Sequence, residues 1–401
     1  MSHIVEFSIS GLAGRKQAYA RTLNEDINIF FGLNGSGKTS LLKILHSAMS
    51  GETDILRNVP FKHAEVKLFS IQKSTIFTCN IEQTIPSSRK EQISLPEILF
   101  PEDIFPEDIP EEIRREFLLS RGYENNKINW EVKPKQDKFR ALRHTYLPVS
   151  RPYLTKRPER LPLSEGQLDS LFAKNLQDLW RRYSTDILSQ IRKVQEDGLA
   201  NILKAILSAE ELNNKVELID KPVEVETAYE QMRNFLSRQK TTVDILGSRD
   251  EFKQRYEKDP RLQKVVSDIH AVEKEIEQTM LPRQNLQRLI QNMFSHKQIE
   301  FTDSDILVKT LVKTEEEVSL GLHLLSSGER QLMLIFLETF LAGESTILID
   351  EPEMSMHIDW QLELVNAMRQ LNPKAQLILA THSPEIMAEV ADDKIFKLNY
   401  E

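Results

Sequence analysis

The most constraining feature of this 401-residue chain is a glycine-rich stretch near its N-terminus. Residues 32–39 read GLNGSGKT and match the phosphate-binding-loop pattern G-x-x-x-x-G-K-[ST]. Glycines at these spacings let successive backbone N–H groups turn toward one anion without a clashing Cβ atom. An apolar run precedes the stretch, and an amphipathic run at residues 40–49 follows it. The sequence therefore predicts a strand, a loop and a helix that together bind a polyphosphate.

The chemistry of this loop predicts its ligands. The Lys38 ammonium is expected to reach the β- and γ-phosphates, and the Thr39 hydroxyl is expected to bind Mg²⁺. The helix that follows directs its positive end at the phosphates. ATP and Mg²⁺ are therefore the expected cofactors. The predicted nucleotide-binding residues in this loop are Gly32, Asn34, Gly35, Ser36, Gly37, Lys38, Thr39 and Ser40.

A second motif lies near the other end of the chain, where the apolar run at residues 346–349 ends in Asp350 and Glu351. Asp350, at the end of the predicted strand, is expected to hold Mg²⁺ together with Thr39. Glu351 is then placed to polarise a water for attack on the γ-phosphate. A strand that meets a polar turn is the alternative reading, which the phosphate-binding loop makes much less favourable.

Two further motifs complete the set. Ser326 and Gly328 stand just before an apolar helix, where hydroxyl and N–H groups can cap an anion, or where Ser326 acts as a plain helix cap. His382 follows the apolar run at residues 375–380, which places it at a strand end within reach of a phosphate. A packed, hydrogen-bonded histidine is the alternative reading of that position.

Taken together in this order, the four motifs resemble those of ABC-type ATPases, in particular the soluble SMC, RecF and OLD-like branch. Residues 326–331, SSGERQ, are similar to the signature motif of that branch. Asp350 and Glu351 match its Walker B pair, residues 355–357 fall where its D-loop lies, and His382 matches its switch histidine. The resemblance covers the two ends of the chain, and it implies that Glu351 and His382 are the catalytic residues.

The middle of the chain has a different pattern. Apolar residues recur there at helical spacing in three stretches, at residues 168–207, 223–256 and 262–294. With the resemblance, this predicts an α/β fold in which an ABC-type P-loop ATPase head is split by a helical, hairpin-like insertion. The predicted segments are the first part of the head at 1–150, the insertion at 151–295 and the second part of the head at 296–401.

The resemblance also implies a composite site. In this family the signature of one subunit closes over ATP bound to the other, so Ser326 and Gly328 would complement the γ-phosphate, which ADP lacks. ATP would therefore bind a closed homodimer, or a higher homo-oligomer, better than the open state. Hydrolysis through Glu351 would release the subunits.

Three functions are consistent with these motifs. The first is an ATPase that regulates a separate effector in anti-phage defence, as OLD-like ATPases do. Few residues follow His382 and they hold no metal-binding cluster, so the expected effector is a nuclease on a partner chain. The second is a DNA-repair ATPase of the RecF or SMC kind, which clamps DNA. The third is the ATP-binding subunit of a transporter, which the motif spacing and the SSGE signature disfavour.

Composition and charge limit the kinds of partner and compartment that we expect for this protein. The formal net charge of −9 argues against a protein that binds nucleic acid over its whole surface. Residues 135–160 are locally basic, which is typical either of a contact with phosphate or with an acidic partner, or of a solvated, salt-bridged face. A single cysteine, Cys79, and the absence of a leader or a membrane-spanning run predict a cytoplasmic protein that does not enter a membrane.

Overall fold

A computed structural model describes residues 2–84, 127–133, 141–149, 165–207, 223–238, 246–294, 297–310, 319–322 and 325–398. The chain divides into two compact units: Met1–Ala173 with His323–Glu401, and Lys174–Leu322. Among the described residues, no helix combines the length and the apolar character needed to span a bilayer. Most of the predicted basic stretch at 135–160 lies outside the described residues, which include only 141–149 of it.

The strands and helices are numbered here in chain order. The strands are β1 (Ser2–Ser10), β2 (Tyr19–Thr22), β3 (Ile27–Phe31), β4 (His63–Ser70), β5 (Thr75–Thr84), β6 (Lys127–Lys133), β7 (His144–Leu147), β8 (Lys297–Phe301), β9 (Ile306–Thr310), β10 (Ser319–Leu320), β11 (Thr346–Asp350), β12 (Gln376–Thr381) and β13 (Ile395–Lys397). The helices are α1 (Lys38–Ser50), α2 (Glu165–Leu207), α3 (Val225–Arg238), α4 (Arg249–Lys258), α5 (Pro260–Met293), α6 (Ser327–Leu341) and α7 (Ile358–Leu371).

The first unit is built on a parallel sheet with the strand order β13-β3-β12-β11-β7. Every residue of β11 and β12 is buried, which matches the apolar runs at residues 347–349 and 377–380. A second sheet is antiparallel, with the order β2-β1-β4-β5-β6. Helix α1 contributes a fully buried apolar face to a core shared with both sheets, through Leu41, Leu42, Ile44 and Leu45.

One buried side chain joins the two sheets. The Gln376 amide, at the start of β12, accepts from the Ile4 N–H of β1 at 2.8 Å and donates to the Ile4 carbonyl at 2.8 Å. It also donates to the Asn24 carbonyl and accepts from the Thr346 hydroxyl. Gln376 thereby satisfies backbone groups of β1 that the sheet hydrogen bonds leave open, at a point where no water can reach them.

The second unit contains the long helices and a three-stranded antiparallel sheet, in the order β10-β9-β8. Helix α2 runs for 43 residues without a break at Gly198, where a side chain would collide with Val272 of α5. The indole ring of Trp180 in α2 packs on Phe301 of β8 and donates its N–H to the Thr302 carbonyl. Because of this packing, β8 to β10 group with the helices, and the unit ends at Leu322.

The prediction of one helical stretch at residues 223–256 is wrong in one respect, because the described residues of this range form two separate helices, α3 and α4. Gly247 adopts a positive φ, and Ser248 then forms a capping box with Glu251 that starts a new helix. Both helices pack on one small core around Phe252 and Val266. The prediction of an α/β fold with a helical insertion is confirmed.

Replacing Gln376 with leucine should destabilise the first unit. Leucine has a similar volume but leaves the N–H and carbonyl of Ile4 buried without partners, at a cost of about 3 kcal/mol. We expect thermal unfolding to show a Tm lower by roughly 5 °C or more. The exposed Gln370→Leu change is the matched control and should leave the Tm nearly unchanged. Equal Tm values for the two variants would contradict the proposed role of Gln376.

Candidate functional site

The candidate site lies at one edge of the parallel sheet. Strands β3, β12 and β11 are neighbours in this sheet, so their carboxyl ends meet at the same edge. The phosphate-binding loop follows β3, Asp350 ends β11, and Thr381 ends β12. Three motifs that are far apart in the sequence therefore converge, as ligand-binding segments do in open α/β sheets.

The loop at residues 32–39 leaves no room for a side chain at Gly32 or at Gly37. A Cβ at Gly32 would lie 2.7 Å from the Leu398 carbonyl oxygen, and one at Gly37 would lie 2.9 Å from Ala13. Gly35 and Gly37 also have positive φ angles. Gly37, the N-cap of α1, has no side chain that could accept a hydrogen bond from the first turn of that helix. This arrangement suits an anion at the helix N-terminus.

The other predicted loop residues differ in exposure. Asn34 and Gly35 are exposed at the tip of the loop, and Ser36 is buried. Thr39 and Ser40 are half-buried in the first turn of α1. The Ser36 hydroxyl is buried without a hydrogen-bond partner. This hydroxyl is therefore available to hydrogen-bond a ligand in the loop.

Lys38 is buried and already surrounded by oxygen atoms. Its ammonium donates to the Gly32 carbonyl at 2.7 Å and to the Leu33 carbonyl at 3.3 Å. The Lys38 Nζ atom also lies 3.3 Å from Glu351 Oε1. The cation is thus held over the loop, opposite the carboxylate that ends the second motif.

Asp350 has the properties of a cation ligand. Only 1% of its surface is exposed, and both carboxylate oxygens lack a hydrogen-bond partner of good geometry. Burial raises the pKa of Asp350 to about 6, and the nearby Thr39 hydroxyl opposes this rise. An unpaired buried carboxylate is costly, and a bound divalent cation would remove that cost. Thr39 and Asp350 therefore fit Mg²⁺.

Glu351 and His382 form a contact at the same edge. His382 Nδ1 is hydrogen-bonded to Glu351 Oε2, while the other oxygen of Glu351 faces Lys38. Glu351 has a φ of 49°, which is unusual for a residue with a side chain, and its N–H donates to the Ala380 carbonyl at 2.8 Å. At this strained residue the backbone turns away from the direction of β11. The turn directs the Glu351 carboxylate across the end of β12.

The motifs do not single out Glu353, which the structure places in the same cluster. Its side chain is only 6% exposed, and Oε1 lies 3.2 Å from His382 Nδ1. Burial raises the pKa of Glu353, and the neighbouring Glu351 acts in the same direction. Glu351, Glu353 and His382 offer ligand atoms that all lie within 4.8 Å of one another. The only sequence signal is a third acid in the run DEPE at 350–353.

The signature residues lie beside the turn that follows Glu351. Exposed Ser326 caps α6 by a capping box with Glu329, so the plain capping role of Ser326 is present. Gly328 is buried. It packs so tightly that a Cβ at this position would collide with the Ser355 carbonyl oxygen. The signature and the predicted D-loop are therefore in close contact within one chain.

The signature helix is also tied to the start of α2. Arg330 forms an ion pair with Asp169, and its guanidinium lies over the Phe172 ring at 6.0 Å. Both partners belong to the first turns of α2, the helix that continues into the second unit. The start of the insertion therefore supports the position of the signature motif.

A protein-family model matches the part of the chain that forms this site. The family described as "AAA domain, putative AbiEii toxin, Type IV TA system" matches residues 27–388, which include the phosphate-binding loop and His382. The chain belongs to this AAA domain family. The family match confirms the predicted resemblance to an ABC-type, SMC-like AAA ATPase.

Two curated relatives are similar to the chain. The Retron Vc95 probable ATPase of Vibrio cholerae serotype O1 biovar El Tor is 24% identical over 403 residues, which covers 94% of this chain and 69% of that protein. The Septu protein PtuA of Bacillus thuringiensis is 36% identical over 55 residues, or 14% of each chain.

Solved structures of SMC head domains are also similar. The Pyrococcus furiosus Smc head with an extended coiled coil, bound to the C-terminal domain of ScpA, has a TM-score of 0.42 at 12% identity. That match covers 97% of this chain and 92% of the solved one. The SMC head domain from Thermotoga maritima has a TM-score of 0.38 at 10% identity, over 97% of this chain and 92% of that chain.

The contact between Gly328 and Ser355 is testable. Gly328→Ala would place a methyl group against the Ser355 carbonyl, so α6 or the turn must move, at a cost of about 1–3 kcal/mol. We expect a lower Tm and faster hydrogen exchange of the amides at residues 351–358. Gly166→Ala is the control, since a Cβ there meets no heavy atom within 4 Å. Unchanged exchange in Gly328→Ala would contradict the close contact.

Proposed function

We propose that this protein binds and hydrolyses ATP at the edge of the parallel sheet. The observation that carries the proposal is the convergence of Lys38, the unpaired buried carboxylate of Asp350, and the Glu351–His382 pair on one phosphate-binding loop. A family match that spans these residues and the similarity to a probable ATPase support it.

Each residue has a role in this proposal. The phosphate-binding loop and Lys38 hold the triphosphate, while Thr39 and Asp350 hold Mg²⁺. Mg²⁺ would neutralise charge that develops on the phosphate oxygens. Glu351 accepts the proton of the attacking water, and His382 orients the carboxylate that it contacts. When nucleotide binds, Lys38 exchanges its carbonyl partners for phosphate oxygens.

We propose that ATP also joins two copies of the chain. Ser326 accepts a hydrogen bond from the Glu329 N–H, so its own O–H can still donate to a second partner. It is exposed at the N-terminal end of α6, where an anion is favoured. The γ-phosphate on the partner subunit would fill this position, and its loss on hydrolysis would weaken the pair.

The biological role proposed here is the control of a separate effector, a nuclease, in anti-phage defence. The OLD-like signature motif and the similarities to a retron ATPase and to a Septu protein support this role. Helix α2 offers a route for the control, because Arg330 of the signature is paired with Asp169 at its start. Co-purification with a nuclease encoded nearby would test the proposal.

Loss of Lys38 should abolish nucleotide binding. Lys38→Ala removes a cation that can make charge-assisted bonds to two phosphates, so ATP affinity should fall by roughly a hundredfold or more. Titration calorimetry measures the change, and a Tm within a few degrees of wild type shows that the loop still folds. Lys253→Ala, on the surface of α4, is the control. Unchanged ATP affinity in Lys38→Ala would be fatal to the proposed binding site.

Glu351→Gln should bind ATP and remain dimeric. The amide preserves the size of the side chain but cannot accept the proton, so hydrolysis stops while binding persists. Size-exclusion chromatography with light scattering should show a dimer in ATP and a monomer in ADP. Adding Lys38→Ala to the same variant should restore the monomer. A Glu351→Gln protein that binds ATP and stays monomeric would rule out the nucleotide-bridged pair.

A further inference from the structure

Glu353 has a set of contacts that the proposed chemistry does not use. One oxygen of its buried carboxylate, Oε1, accepts from the Thr381 hydroxyl at 2.5 Å, the His382 N–H at 2.9 Å and the Ser383 N–H at 3.2 Å. A single acceptor thus takes three donors from three consecutive residues of the loop after β12. Such a clamp fixes the backbone of that loop relative to Glu353.

The His382 ring needs this support. Half of the His382 side chain is exposed, so packing alone does not fix the ring. Its described polar contacts at Nδ1 are with the carboxylates of Glu351 and Glu353. The backbone N–H of His382 is held by Glu353, so the ring can reach Glu351 only from the position that the clamp defines.

The main chain of Glu353 holds a second element. Its carbonyl accepts from the Met356 N–H at 2.9 Å and closes the turn that contains Ser355. The Ser355 carbonyl packs directly on Gly328 of the signature motif. One residue therefore contacts both the histidine loop and the turn beneath the signature.

We propose that Glu353 is a positioning residue that holds His382 against Glu351 and joins the histidine loop to the turn at Ser355. The proposal rests on the ATPase function proposed above. It assigns Glu353 no direct contact with substrate. Its effect on hydrolysis passes through His382.

Variants at Glu353 separate this role from others. Glu353→Ala removes the acceptor, and we expect kcat to fall at least about tenfold with KM within about threefold. In Glu353→Gln, the amide oxygen can accept the same three hydrogen bonds as Oε1. The amide nitrogen takes the place of Oε2, which has no hydrogen-bond partner. This variant should therefore retain most of the activity. Should Glu353→Ala fail to fold, Glu353→Asp, whose oxygens are withdrawn by one methylene, should show a similar loss of kcat. Wild-type kcat in both shortened variants would overturn the proposal.

A double-mutant cycle tests whether Glu353 acts through His382. If it does, adding Glu353→Ala to His382→Ala should lower kcat no further than about twofold. Fully multiplicative losses would mean that Glu353 acts independently of the histidine. Glu385→Ala is the matched control: it removes a carboxylate that bonds Ser383 in the same loop, and kcat should stay within about twofold of wild type.

A spectroscopic measurement separates failure of this proposal from failure of the ATPase function. In protein with ¹⁵N-labelled histidine, the His382 ring signals are assigned by their loss in His382→Gln. They should shift in Glu353→Ala and stay near wild type in Glu353→Gln. This result does not need turnover, so an inactive wild type would refute only the ATPase function. Unshifted His382 signals in Glu353→Ala would refute the positioning role.

Discussion

The structure depends on the shared direction of β3, β12 and β11 in one sheet. Parallel neighbours end at the same edge, so segments from both ends of the chain meet there. Lys38 comes from the first of these strand ends and Glu351 from the third, and they lie 3.3 Å apart as Nζ and Oε1. The second unit is inserted between these segments in the sequence and does not interrupt the sheet.

Several features at this edge of the sheet lower the free energy of unfolding. Asp350 is buried without a hydrogen-bond partner, Glu353 is buried beside another carboxylate, and Glu351 and Ser355 have positive φ angles. Each of these would be removed by selection for stability alone. Their presence at one place supports the proposal that a bound cation and phosphate offset the cost. Gln376, by contrast, stabilises the fold beneath the site, because it satisfies the backbone of β1.

Much of the site follows from local sequence. The phosphate-binding loop, the acidic pair and the histidine were each predicted, because each couples an apolar strand to a polar end. The role of Glu353 was not predicted, because its partners at residues 381–383 are close only in the folded chain. The break between α3 and α4 was missed because the stretches on both sides of it have helical spacing and pack on one core.

The sequence by itself determined the α/β fold, the helical insertion and the motif on which the proposed phosphate binding depends, because strand and helix periods and a glycine-lysine loop are local properties. Only the tertiary structure decided which acids face Lys38, that Gly328 packs on Ser355, and that β8 to β10 belong with the long helices. These are contacts between residues distant in the chain. They depend on how strands are ordered and how side chains fill space, which no local pattern encodes.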